Sequence, residues 1–304
     1  MRPKDCGRLR LYLRATVDVT PICVGRIRLP ERHVRARRRT LPGRYLDIRR
    51  DGSRLDALPI WCWLVDHPDG RILVDVGETT DVFEPGGVDL GARLLVDRDG
   101  LELDTADELA VQLRRRGVSP ASVETIVLTH LHFDHAGAVD AFPNAEVLVA
   151  RREYRLHRHL PLGSALHRWP DGLTPTLLEF EDEPVGPFAA SHRLTTDGVV
   201  RIVPTPGHTP GHQSVLVSDG DELLCLAGDT TFTERQLVDD EIVGIALNAR
   251  SSRRTMRRIR RLCARERVVY LPSHDPGSPD RLEARAVTTI ASDRGEDRGD
   301  GDAQ

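Results

Sequence analysis

Residues 129–137 read Thr129-His130-Leu131-His132-Phe133-Asp134-His135-Ala136-Gly137, directly after an apolar run from Val123 to Leu128. The run reads as a short strand that delivers three imidazoles and a carboxylate to a loop at its C-terminal end, where a rigid scaffold holds them open to solvent. Burying His130, His132, Asp134 and His135 this close together is costly unless cations share their lone pairs. The stretch therefore predicts a metal site, with two ions rather than one.

Three more residues stand in the same kind of place. His208 closes Pro204-Thr-Pro-Gly-His after a strand at 199–203, and Asp229 follows Gly228 at the end of a hairpin over 213–217 and 222–227. His274 follows a strand at 268–271. One histidine in a loop has dull explanations; His208, Asp229 and His274, each just past an apolar strand, predict one shared rim. Further outward, 60–65 and 71–76 flank the turn Pro68-Asp69-Gly70 and read as a buried hairpin ending at Gly77. Thr105-Ala-Asp-Glu108 has the form of a capping box and predicts a helix over 106–116, stopped at Gly117. A strand is expected at 145–150 and a basic helix at 252–264. Residues 151–191 read as an irregular insertion near the site, with His157, His159 and His167 solvated among arginines.

Residues 1–55 are arginine-rich and weakly periodic, and are expected to give a strand or two and a surface arm, packing on or extending from the core. The main domain is placed at 56–290 and a disordered charged tail at 291–304. With 304 residues, 39% hydrophobic and 30% charged, the composition is that of a globular protein. A formal charge of -4 gives no whole-protein reason to expect nucleic acid, and runs such as Arg37-Arg38-Arg39 are read as solvated faces. The five cysteines are scattered, with no C-x-x-C pair, which argues against a disulfide framework or a thiolate zinc site. A reducing, cytoplasmic setting fits, and no apolar segment is long enough for a membrane span.

The ordered set His-x-His-x-Asp-His, His, Asp, His resembles the metallo-β-lactamase superfamily, and His-Leu-His-Phe-Asp-His-Ala-Gly is similar to its N-acyl homoserine lactone lactonase branch. The likeness runs over about 58–277 and includes Leu73-Val-Asp-Val-Gly77, Pro206-Gly-His-Thr-Pro-Gly211 and Ala227-Gly-Asp-Thr230. It implies an α+β fold, a four-layer αββα sandwich. It also implies that His130, His132 and His208 bind one divalent ion, Asp134, His135 and His274 the other, and that Asp229 bridges. Zinc is the first choice for imidazoles and carboxylates without thiolate. The implied reaction opens a lactone or other carboxylic ester by attack of a metal-bridging hydroxide, with Asp134 passing a proton to the leaving oxygen. Asp75, Thr129 and His212 become candidates for orienting the ligands from behind, and Gly77 for close backbone approach.

One position departs from the branch. A tyrosine is typical three residues after the bridging aspartate, and here that residue is Phe232, read as pocket packing. Homoserine lactone specificity therefore stays open beside phosphotriester or thioester hydrolysis at the same site. A non-enzymatic, metal-dependent binding protein is the alternative of another class. The expected partner is a small ester or lactone, and the resemblance admits a homodimer that uses the N-terminal segment. The short stretch after His274 disfavours a glyoxalase II, and Asp229 disfavours the antibiotic-hydrolysing zinc lactamases.

Overall fold

The computed structural model describes residues 17–38, 40–84, 100–160, 163–181 and 183–290. The charged tail at 291–304 lies outside the described residues. The strands divide into two sheets. The first holds β1 (Asp18–Ile27), β2 (Leu58–His67), β3 (Gly70–Val74), β4 (Leu101–Glu102), β5 (Val123–Val127), β6 (Glu146–Ala150) and β7 (Thr176–Leu178), in the spatial order β4-β1-β2-β3-β5-β6-β7. The second holds β8 (His192–Arg193), β9 (Val200–Pro204), β10 (Gln213–Asp219), β11 (Glu222–Gly228) and β12 (Val268–Pro272), in the order β12-β11-β10-β9-β8.

The strands are apolar on both faces because both faces are covered. Along β2 and β3, Trp63, Val65, Ile72 and Val74 point to one side and Cys62, Leu64 and Leu73 to the other. The first set meets Val200, Ile202, Val215, Val217, Leu224, Leu226, Val269 and Leu271 of the second sheet in a core between the sheets. The alternate residues of the second sheet, including Leu216, Cys225, Ala227 and Tyr270, pack outward. Short helices α1 (Glu31–Val34) and α2 (Leu41–Arg50) pack on each other, and α1, α3 (Leu109–Arg115) and α4 (Phe133–Ala136) lie with the first sheet, whose outer cluster contains Val34, Leu109, Leu113 and Phe133. α5 (Arg151–His159) follows β6, while α6 (Glu234–Val238) and α7 (Ala249–Cys263) cover the second sheet through Leu237, Met256, Ile259 and Leu262. α8 (Ser278–Glu283) follows β12. Helix, sheet, sheet, helix is the αββα sandwich read from the sequence.

The N-terminal segment supplies a strand, and three other local readings change. One strand of the N-terminal segment is β1, which pairs antiparallel with β2 from Asp18↔Asp66 to Ile27↔Leu58 and places Ile22 and Val24 in the core. The helix expected over 106–116 starts at Leu109, because Glu108 turns its carboxylate to the Thr80 N–H at 3.0 Å and hydroxyl at 2.6 Å and caps nothing. The stretch 151–191 is not irregular throughout: it opens with α5, and His157 is buried where a solvated side chain was expected, while His159 and His167 are exposed. The basic helix expected from 252 begins at 249, where the Asn248 side chain accepts the Ser251 N–H at 3.0 Å. Among the described residues, no helix is long and apolar enough to cross a membrane.

Candidate metal centre

Strand direction places the site. β3, β5 and β6 run parallel, as do β11 and β12, and β9 shares that direction because it pairs antiparallel with β10, which pairs antiparallel with β11. The C-terminal ends of β3, β5, β9, β11 and β12 carry Asp75, Thr129 to His135, His208, Asp229 and His274 respectively. The two sheets meet at this rim: Gln213 N–H donates to Thr129 C=O at 2.9 Å, and Trp61 N–H to Ser273 C=O at 2.9 Å.

The side chains converge in overlapping groups: His130, His132 and His208; His130, His135 and Asp229; Asp134, His135 and His274. His132 Nδ1 lies 2.9 Å from His130 Nε2 and 3.1 Å from His208 Nε2. The Asp229 carboxylate stands between two sets of imidazoles. Its Oδ2 is 3.4 Å from His208 Nε2 and 3.9 Å from His130 Nε2; its Oδ1 is 3.3 Å from both His135 Nε2 and His274 Nε2. Asp134 Oδ2 completes the second set, 3.6 Å from the same two nitrogens.

This donor set fits cations and is poorly served without them. His135 Nε2 and Asp229 Oδ1 are buried with no hydrogen-bond partner. Three ring nitrogens crowded at hydrogen-bond distance cannot all be satisfied by exchanging protons among themselves. Burial depresses the pKa values of His130, His132 and His208, keeping those rings neutral and their lone pairs available. Burial works the same way on His135, but Asp229, Asp134 and Asp75 outweigh it and lift its pKa to about 10. Burial raises Asp134, whereas at Asp229 the His274 and His135 rings overcome burial and hold the carboxyl well below its ordinary range.

A second layer of bonds aims the rings. Asp75, at a positive φ of 60°, accepts the Thr129 N–H at 2.8 Å, the Thr129 hydroxyl at 2.9 Å and His135 Nδ1 at 2.8 Å. The Thr129 oxygen in turn lies 3.0 Å from His130 Nδ1. A carboxylate only accepts, so these contacts put the protons on the Nδ1 atoms and turn both Nε2 atoms to the centre. His274 Nδ1 donates to Pro59 C=O at 2.9 Å with the same result. His212 takes no part in the cluster; its Nε2 accepts the Asp229 N–H at 3.0 Å and its Nδ1 lies 2.8 Å from the Thr205 hydroxyl. Gly77 has a φ of +69°, and a Cβ there would strike Val24 at 2.5 Å.

Phe232 is buried beside the cluster, its ring 5.0 Å from that of His274 and 6.2 Å from that of His208. His33, from the N-terminal segment, stacks on it at 6.4 Å, so this segment reaches the site as well as the sheet. Sequence reasoning missed His33, and it also missed Glu153 and Trp169 in the insertion. Trp169 Nε1 donates to Ala136 C=O at 2.9 Å, and Ala165 N–H to Leu131 C=O at 3.0 Å, stitching the insertion to the histidine loop. A lone polar residue in a basic segment carries no periodic signal by which it could have been found.

Comparison with known proteins agrees with this geometry. The model of the metallo-beta-lactamase superfamily matches residues 55–274. The chain belongs to the metallo-beta-lactamase superfamily. Within this superfamily it is similar to an N-acyl homoserine lactonase of a Bacillus species, 30% identical over 228 residues that cover 74% of this chain and 84% of the relative. It is similar also to the N-acyl homoserine lactonase AttM of Azorhizobium caulinodans, 29% identical over 231 residues, with 72% and 82% covered. Among solved structures, an N-acyl homoserine lactone hydrolase with N-hexanoyl-L-homoserine bound at its catalytic metal centre superposes with a TM-score of 0.69. That chain is 25% identical, and the match covers 88% of this chain and 96% of that one.

Proposed function

We propose that this superfamily member is a metal-dependent hydrolase that opens lactones, and that N-acyl homoserine lactones, named for its relatives, are its substrates. The observation that carries the reading is the Asp229 carboxylate, one oxygen turned to His208 and His130 and the other to His135 and His274. On this reading His130, His132 and His208 hold one divalent cation, Asp134, His135 and His274 the other, and Asp229 serves both. Zinc suits five imidazoles and two carboxylates without thiolate. When bound, such cations supply Lewis acidity to polarise a carbonyl and to bring the pKa of a water near neutral.

The residues around them supply the rest. Ring opening adds water to the carbonyl carbon, breaks the C–O bond of the ring and leaves an alkoxide that needs a proton. Asp134, which turns Oδ2 to the second set, is the carboxyl that would carry that proton on its other oxygen and return it to the leaving oxygen. Phe232 and His33 give the pocket an aromatic wall without a phenol, which keeps phosphotriester hydrolysis as the second reading. The four cysteines among the described residues are free, in keeping with a cytoplasmic enzyme, and the proposal includes a homodimer.

The test is acid release from N-hexanoyl homoserine lactone by protein loaded with Zn2+, run beside a thioester and a phosphotriester and repeated with chelator. Chelator-sensitive ring opening is expected. Turnover of the phosphotriester alone would move the assignment to the second reading, and full metal occupancy with no turnover of any substrate would make this a binding protein.

A further inference from the structure

α5 meets the metal centre through two buried side chains, Glu153 and His157. Glu153 is 1% exposed in a helix otherwise dominated by arginine and histidine. Its Oε1 accepts the Leu131 N–H at 3.2 Å and its Oε2 accepts the Gly211 N–H at 3.1 Å. Leu131 stands between His130 and His132; Gly211 lies three residues after His208 and directly before His212. The two loops leave different sheets, one from β5 and one from β9, and a single carboxylate joins them. His157, one helical turn on, sets its Nε2 3.0 Å from Oε1 and its ring edge-on to His132 at 5.6 Å. Burial pushes the Glu153 carboxyl up, but the His157 ring together with donors that include the Leu131 N–H outweighs burial and holds it below its ordinary value, so it stands as an ionised acceptor.

A buried carboxylate is costly, and the core packing around α5 does not call for one. Its two oxygens meet two backbone N–H groups, one between His130 and His132 and the other in the loop that carries His208. We infer that Glu153 is a positioning residue that fixes the spacing of the His130, His132 and His208 rings and so tunes the cation those three hold. The inference rests on the two-cation reading of the site. The other cation's residues are anchored elsewhere, His135 by Asp75 and His274 by Pro59 C=O, so the effect of losing Glu153 is selective.

The experiment titrates metal-free wild type and Glu153→Gln with Co2+, following d–d absorption and bound stoichiometry. A glutamine keeps one acceptor but turns an NH2 toward the second N–H, releasing one loop. Wild type is expected to take two equivalents; the variant is expected to take one as wild type does and to bind the other at least about tenfold more weakly. Two equivalents bound with wild-type affinity, or both weakened together, would overturn the assignment. Wild type that binds no Co2+ would instead sink the two-cation reading itself. Should Glu153→Gln fail to fold by circular dichroism, Glu153→Asp, one methylene too short to span both loops, carries the same expectation. Failure of both to fold would make Glu153 a folding residue and end the proposal.

Discussion

Asp75 accepts a hydrogen bond from His135 Nδ1 at 2.8 Å, and that bond decides which ring nitrogen faces the cations. Asp75→Asn tests it cleanly, because asparagine tolerates the φ of 60° that Asp75 adopts, leaving the backbone unstrained. The amide must turn an NH2 toward a donor, either Thr129 or His135. Metal affinity and kcat are expected to fall about 10- to 100-fold, with KM little changed. Metal titration and steady-state kinetics check this; unchanged values at both would remove Asp75 from the orienting layer.

Gly228 precedes Asp229 with a φ of +55°, and a Cβ there would lie 2.7 Å from His212 Nε2 and 2.8 Å from Thr129 Cβ. The His212 nitrogen that it would strike is the one that accepts the Asp229 N–H. Gly228→Ala is therefore expected to cost about 1–3 kcal/mol from backbone strain alone and to disturb the Asp229 carboxylate as well. Urea unfolding reads the first effect and metal stoichiometry the second. A variant as stable as wild type, with full metal content, would show that the rim yields more than its packing implies.

The rim was legible because its signals are local and repeated: Val123–Leu128, 199–203 and 268–271 are apolar runs, and each ends on a candidate ligand. The hairpin of β2 and β3 was legible for the same reason, with Pro68-Asp69-Gly70 between two runs buried on both faces. α5 was not, because its two buried positions, Glu153 and His157, are polar, and an apolar periodicity cannot reveal a helix whose inner face is a polar pair. Thr105 misled for a different cause: its partner Glu108 has the spacing of a capping box but spends its carboxylate on Thr80, a contact set by tertiary structure. β1 was weak in sequence because Asp18, Thr20, Pro21 and Arg26 interrupt its apolar residues, and pairing with β2 makes it a strand.

Removing metal should loosen the whole rim, since every strand end that carries a ligand would lose its shared partner. Ligand linkage gives about 4 kcal/mol for an ion present at a thousand times its Kd. In a chain of this size each kcal/mol moves the melting midpoint by about 2–4 °C, so chelation is expected to lower it by about 10 °C. Readdition of Zn2+ should restore it. Thermal melts by circular dichroism check this, and an identical midpoint with and without chelator, at proven metal loss, would count against cations that brace the fold.

Glu78 lies against the insertion, in an ion pair with Arg168, with the Thr79 N–H donating to its Oε1 at 2.7 Å. Burial lifts its carboxyl to about 7 from the 4.5 of an exposed glutamate, although Arg168 and the Thr79 N–H pull the other way. A carboxyl raised on folding favours the folded state in its protonated form. Its contribution to stability is thus full below about pH 4.5, is lost as pH rises toward 7, and stays constant above that. Glu78→Gln cannot ionise, so the stability of wild type minus that of the variant should fall across this window, by up to about 3 kcal/mol. At low pH the two proteins are expected to be similar in stability, because Glu78 is then protonated and the Arg168 guanidinium faces a neutral partner in both. Both proteins keep the same histidine and aspartate cluster, so that cluster's own titration cancels in the difference. Urea unfolding at about pH 5 and about pH 8 measures it, and a difference that is flat or rises with pH would show that Arg168 holds Glu78 ionised throughout.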